Sequence, residues 1–507
     1  MRQLLGVDVG TGGCKSTLID AEGRILATAF QEISSCHLHP GWSEQNPEDW
    51  VDGFVATVKK CLAQSEADAA KIEALCFTAS THNAVLLDEN FQVIRPCIMW
   101  NDQRSADIAR RLDRDHGETI FSVAMQRPSA TWTMPQLQWI RENEPEHYNR
   151  IRHILFTKDY VRHAVTGDMC TDHVDAQGSL LYDALNRRWS TELCSIIGLG
   201  LSVLPEIKTS KEVVGCVSRE VAARTGLRPG TPAIAGCSDT AAEDYGSGAV
   251  EEGQTLVKLA TAGNVNIIQR HPRPHPKTYT YPYSVDGMWY TVTGTSSSAA
   301  AYRWLRDALY PGEKAACEAR GEDVYLWMDK EAERTPAGAR GLLFHPYLLG
   351  ERCPHFSASY RANFFGVSMV HDRGAFSRAV LEGVAFSLYD CFQVIKEFWH
   401  GQTPEIRLIG GGAKSLLWCR IIADVFGLPV LRPLIDDSSF GGALLAGVGT
   451  GVFRDEISAV SMCNHIQSTC VPNSGNHEIY LKLFDIYKKI AAANASIWDE
   501  LAGVVKE

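Results

Sequence analysis

The chain has no excess of positive charge: 49 Lys and Arg stand against 60 Asp and Glu, a formal net charge of −11. That balance argues against a broad basic face for nucleic acid, although a single phosphate pocket needs only a few residues. There is no apolar run of about 18 residues, so no membrane span is expected. The opening Leu4-Leu5-Gly6-Val7-Asp8 is broken by Gly6 and Asp8 too early for a signal peptide. None of the 15 cysteines pairs with another as C-x-x-C, and their number is odd. Scattered as at Cys14, Cys97, Cys237 and Cys419, they read as reduced thiols, mostly small core residues. These absences together point to the cytoplasm. No low-complexity tail is present.

What remains is ordinary for a globular protein, 45% hydrophobic and 21% charged. The 507 residues exceed one ordinary domain, so two or three are expected. The start predicts a β-hairpin: Leu4 to Val9 as a strand, Gly10-Thr11-Gly12-Gly13 as a turn, and Lys15 to Ile19 as a return strand. A third strand is predicted from Arg24 to Phe30. Asn46-Pro47 has the residues of a helix cap and first position. Lys71 to Thr78 reads as a further strand, and the alternation of strand and helix argues for mixed α/β layers. Thr255 to Leu259, a turn of small residues, and Val265 to Ile268 repeat the opening plan, a weak internal duplication. His271-Pro272-Arg273-Pro274-His275-Pro276 reads as a stiff surface loop rather than a metal site.

Four segments are candidates for chemistry. Gly10 to Ser16 lacks the Gly before Lys15 and the following helix that a P-loop needs. A tight hairpin turn can still cradle phosphate with its backbone N–H groups, and Asp8 beside such a nest suggests Mg²⁺. An ordinary hairpin with a solvated Asp is the competing reading. Gly410-Gly411-Gly412 follows the strand Ile406 to Ile409 and precedes an amphipathic segment, Leu416 to Gly427. It lacks dinucleotide spacing and suits either a flat ring or phosphate against the backbone, or a plain packing turn. Ser238-Asp239-Thr240, after a buried strand, offers a helix cap and a general base in one segment. Thr81-His82 and Trp100-Asn101-Asp102 end apolar runs and suit sugar hydroxyls and a ring face, although a lone His82 is more often structural.

In this order the segments resemble an FGGY-family carbohydrate kinase, and in particular its xylulokinase branch. The resemblance covers most of the chain. It includes Gly6 to Gly12, Trp42 to Trp50, Arg95 to Asp102, Lys158-Asp159-Tyr160, Thr171 to Asp183, Trp304 to Asp307, Pro346 to Pro354 and Gly366 to Gly383. It implies two ribonuclease-H-like (actin/Hsp70-type) α/β domains flanking a catalytic cleft. Residues 1–245 would form mainly the sugar side with the first phosphate hairpin, and residues 246–507 mainly the ATP side. It implies Asp239 as catalytic base, with Thr81, His82, Trp100, Asp239 and Thr240 toward the sugar. Thr11, Gly12 and Lys15 would meet phosphate, with Asp8 holding Mg²⁺ indirectly. Thr261 would form the second phosphate turn, and Gly294, Gly411, Gly412 and Ser415 would lie on the nucleotide side. Three positions depart from the branch: Thr81 where Met is usual, Thr240 where Asn is usual, and Ala260-Thr261-Ala262 where a Gly-Thr-Ser-like turn is usual.

The expected reaction is ATP-dependent phosphorylation of a primary hydroxyl, D-xylulose to D-xylulose 5-phosphate, with ATP and Mg²⁺. Another ketose, a polyol or an aldonate is the alternative acceptor, and a non-catalytic actin-like nucleotide switch the remote alternative. The expected partner is a small-molecule sugar, with neither nucleic acid nor membrane. The sequence leaves the oligomeric state open, a homodimer being one option.

Overall fold

The computed structural model describes residues 2–64 and 67–504. The protein is a two-domain α/β chain that divides into two compact units. The first comprises Met1–Val250, Arg270–Tyr290 and Ile435–His465, and the second Glu251–Gln269, Thr291–Leu434 and Ile466–Glu507.

The sheet of the first unit is built from β1 (Gln3–Gly10), β2 (Gly13–Asp20), β3 (Ile25–Glu32), β4 (Ile72–Ala79), β5 (Val213–Cys216) and β6 (Pro232–Ser238). Its order is β5-β6-β4-β1-β2-β3. The expected hairpin is present, with β1 and β2 antiparallel in register from Gln3↔Asp20 to Gly10↔Gly13. β4 runs parallel to β1, and β6 parallel to β4.

Side chains alternate along β1 between the two faces of the sheet. Leu5, Val7 and Val9 share one core with Trp50 and Phe54 of the helix Pro47–Leu62, which begins at the expected cap Asn46. Gly6 and Asp8 point the other way, toward the helix Ser438–Gly449. There a Cβ on Gly6 would lie 1.7 Å from the Ser439 carbonyl oxygen, so only glycine lets that helix lie on the strand. The site described below forms on this second face.

The second unit repeats the plan. β7 (Thr255–Leu259) and β8 (Gly263–Gln269) form an antiparallel hairpin, β9 (Trp289–Thr295) enters the unit beside it, and β10 (Ile406–Ile409) runs parallel to β7. β11 (Val430–Pro433) and β12 (Ile466–Cys470) extend the run of neighbours to β9-β8-β7-β10-β11-β12, six strands of a seven-stranded sheet. The helix Arg373–Phe398 is buried along nearly its whole length and forms the centre of this unit's core. The His271 to Pro276 stretch adopts neither helix nor strand. Among the described residues no helix is long and apolar enough to cross a membrane.

Candidate active site

Parallel neighbours end on the same edge of a sheet, and open α/β sheets gather ligands at the carboxyl ends of their strands. In the first unit the register sets Asp8 beside Thr78, and Thr78 beside Cys237, with Ser238 and Asp239 following. Three segments far apart in sequence therefore deliver polar groups to one edge. The Thr78 hydroxyl donates to Asp8 Oδ1 at 2.8 Å. Ser238 caps the helix Asp239–Gly246, its Oγ accepting from Ala241 N–H at 3.1 Å. Asp239 is half-buried in the first turn, where Oδ1 accepts from Thr240 N–H at 2.6 Å and from the Thr240 hydroxyl at 3.3 Å. The helix N-terminus favours a carboxylate there.

A third carboxylate, Asp437, comes from the far end of the chain. It caps the helix Ser438–Gly449, accepting from Ser439 N–H at 2.9 Å, and pairs with the Lys15 ammonium. Burial, then the charges of Asp239 and Asp437, push the Asp8 carboxyl from 3.8 up to about 8, while hydrogen bonds from Thr78 and Ser438 pull it down. Asp437 is not among the residues that the sequence motifs single out. The available signal was Asp436-Asp437-Ser438-Ser439 directly before an apolar glycine-rich run, a helix-start pattern. Closely grouped carboxylates supply hard oxygen donors of the kind Mg²⁺ takes. Among the described residues no three such ligands converge into a direct metal shell.

Thr81 and His82 form a turn just beyond β4. His82 is buried at a left-handed φ of 54°, a strained conformation for a side chain of this size. Its ring lies 4.8 Å from Trp132, its Nε2 is 3.3 Å from Thr131 Oγ1, and its carbonyl accepts from the Thr133 hydroxyl at 2.7 Å. Gly178 backs the ring, since a Cβ there would meet Nδ1 at 2.9 Å. Gly178 ends the helix His173–Gly178, whose cap Asp172 and whose Asp175 share the fully buried Lys158 ammonium, at 3.0 and 2.9 Å, with Asp159 at 2.6 Å. The segments around Lys158 and Asp172 thus form an internal ion cluster.

Burial lowers the His82 pKa from 6.5 to about 3, so the imidazole is neutral at neutral pH. Between those values an unfolded chain takes up a proton that the native chain refuses, so stability falls as pH drops below 6.5. His82→Gln is expected to show a smaller loss of unfolding free energy than the parent between about pH 7 and pH 5. Urea titrations at both pH values test this, and an unchanged pH dependence would contradict it.

The exposed Trp100 does not stand apart from the hairpin: its indole N–H donates to Thr11 Oγ1 at 2.8 Å. Gly12 is exposed at the tip, with nothing within 4 Å of where a Cβ would be.

In the second unit the register Lys258↔Ile409 brings the Ala260 to Ala262 turn and Gly410-Gly411 to one edge. Gly410 needs its φ of 87°, and a Cβ on it would meet the Leu259 carbonyl at 2.9 Å. Gly411 faces open space, whereas Gly412 lets Leu259 and Trp418 pack against the backbone. Ser415 caps the helix Leu416–Phe426, accepting from Trp418 N–H at 3.0 Å. Gly294 is buried in β9, where a Cβ would meet Asn264 Oδ1 at 2.5 Å. Thr261 is exposed, and its hydroxyl accepts from Arg303 Nη2 at 3.1 Å. The loop after β9 is held by the buried Glu351, which accepts from the Thr295 hydroxyl at 2.6 Å and Ser296 N–H at 2.7 Å.

Comparison with known proteins identifies the family. The model of the FGGY family of carbohydrate kinases, N-terminal domain, matches residues 3–246, and that of its C-terminal domain matches residues 257–450. The chain is 30% identical over 493 residues to a xylulose kinase of Bacillus subtilis, covering 97% of each. It is also 28% identical over 460 residues to a gluconokinase of the same organism, covering 90% of this chain and 89% of the other. The crystal structure of xylulose kinase from Rhodospirillum rubrum is similar with a TM-score of 0.89 at 26% identity, covering 98% of this chain and 100% of that one. The chain therefore belongs to the FGGY family of carbohydrate kinases and is a sugar kinase.

Proposed function

We propose that the protein transfers the γ-phosphoryl group of ATP to a primary hydroxyl of a ketopentose, with D-xylulose the preferred acceptor and D-xylulose 5-phosphate the product. The observation that carries this reading is the similarity, along 97% of the chain, to a protein named xylulose kinase. In the proposed mechanism Asp239 accepts the proton of the attacking hydroxyl as that oxygen bonds to phosphorus and the bond to the ADP oxygen breaks. Thr81, His82, Trp100 and Thr240 orient the sugar. A neutral His82 can bond a hydroxyl or the ketone without competing for the proton. Thr11, Gly12 and Lys15 in the first unit, and Thr261 with Gly294, Gly411, Gly412 and Ser415 in the second, serve the nucleotide. Asp8, with Asp437, would hold Mg²⁺ through its water. Such an ion supplies positive charge against the phosphate oxygens.

The gluconokinase similarity favours a second reading, in which the acceptor is an aldonate. Thr81 and Thr240 are the positions to watch, because a Thr hydroxyl donates and accepts differently from an Asn amide. A site built around one hydroxyl pattern leaves buried polar groups unpaired with another. In a coupled ADP-release assay D-xylulose is expected to exceed D-ribulose, xylitol and D-gluconate in kcat/KM by at least about 10-fold. A 10-fold preference for a polyol or gluconate would replace the ketopentose reading and leave the sugar-kinase assignment intact.

A further inference from the structure

Trp100 is tied at both ends. Its backbone N–H donates to Asn83 Oδ1 at 2.6 Å. Asn83 is fully buried, and its amide donates to the Ser80 carbonyl at 3.1 Å, the Ser80 hydroxyl at 2.9 Å and the Thr157 hydroxyl at 3.1 Å. The direction of the Trp100 side chain is thus set from the core. Its indole N–H reaches Thr11 Oγ1 at the tip of the β1–β2 hairpin. The same tip is held from another side, because the Thr11 carbonyl accepts from Gln45 Nε2 at 2.7 Å. Gln45 in turn accepts from the buried Trp50 indole at 2.8 Å.

The proton inventory gives this contact a direction. An indole N–H only donates, and a hydroxyl has a single proton. With the Thr11 oxygen accepting from Trp100, the Thr11 proton must point elsewhere. The tip beside it is open at Gly12. Phosphate oxygens only accept, and a hydroxyl that is itself accepting a hydrogen bond is the stronger donor. We propose that Trp100 is a positioning residue for the nucleotide. Its indole orients the Thr11 hydroxyl as a donor to the phosphate chain, a task separate from any contact its exposed ring makes with the acceptor. The inference rests on reading the Gly10 to Gly13 turn as a phosphate loop.

The test is a double-mutant cycle of Trp100→Phe and Thr11→Val, with kinetics in ATP and in the best acceptor. Trp100 is 41% exposed, so Trp100→Phe is expected to fold, which its unfolding temperature checks. Each single variant is expected to lower kcat/KM for ATP by roughly 5- to 10-fold, with the acceptor KM moving less than about 3-fold. The double variant should match Thr11→Val alone, because one interaction is being removed twice. Trp100→His, which retains an N–H, should recover part of the loss. Multiplying effects in the double variant, or a Trp100→Phe effect confined to the acceptor KM, would overturn the inference while leaving the phosphate loop in place. An unchanged ATP dependence in Thr11→Val would instead overturn the phosphate-loop reading, and the inference with it.

Discussion

Asp239→Asn is expected to reduce kcat by about 10²- to 10⁴-fold while leaving nucleotide binding nearly unchanged, because a positioned general base contributes about that much. The substitution isolates the chemistry. An Asn side chain has the same shape and keeps a carbonyl oxygen to accept from Thr240 N–H, now at 2.6 Å from Asp239. The helix cap belongs to Ser238, which is untouched. What disappears is the ability to take a proton and the negative charge at the head of the helix Asp239–Gly246. Loss of one of the two charges that raise the Asp8 pKa should also make Asp8 easier to ionise, so MgADP should bind at least as well as to the parent. Steady-state turnover together with calorimetric MgADP binding tests both halves. Turnover within about 10-fold of the parent would remove Asp239 from the role of base.

How much of this could be read from the sequence depends on how local each signal is. The β1–β2 hairpin, the Asn46 cap, the Ser238-Asp239 segment and the strand–glycine–helix run from Ile406 to Gly427 were legible. Each is fixed by residues within one or two turns of chain. The same holds for the second hairpin. Asp437 was not legible, because its place beside Asp8 depends on a helix returning to β1 from the other end of the chain. The polar residues around Trp100 suggest only a ring face for a sugar. The bond from Trp100 to Thr11 could not be foreseen, since a Trp beside polar residues does not say where its N–H points. The neutral state of His82 likewise comes from tertiary packing, with Trp132 on one side and Gly178 on another. Periodicity also gives no warning that 270–290 and 435–465 pack with the first unit, because pattern describes elements and not their partners.

Gly6→Ala should have the largest effect on stability, although in sequence Gly6 looks like an ordinary residue of a short strand. A Cβ there would sit 1.7 Å from the Ser439 carbonyl oxygen and 2.7 Å from Ala443 N. These are backbone atoms of a helix, so no side chain can rotate away to make room. The strand cannot yield either, since β1 is paired on both sides, with β2 and β4. The helix Ser438–Gly449 must therefore lift from the sheet, and with it Asp437 and its Lys15 partner. Overpacking against fixed backbone belongs to the severe class of substitutions, about 4 kcal/mol or more. For a unit of this size that corresponds to a fall in Tm of roughly 8–16 °C. Gly12→Ala is the matched control. Nothing lies within 4 Å of its Cβ position and its φ is not left-handed, so its Tm should move by no more than about 1 °C. Thermal unfolding of the two variants beside the parent decides the matter. If Gly6→Ala melts with the parent, the close seating of the helix on β1 is wrong, and with it the physical reason for Asp437 lying beside Asp8.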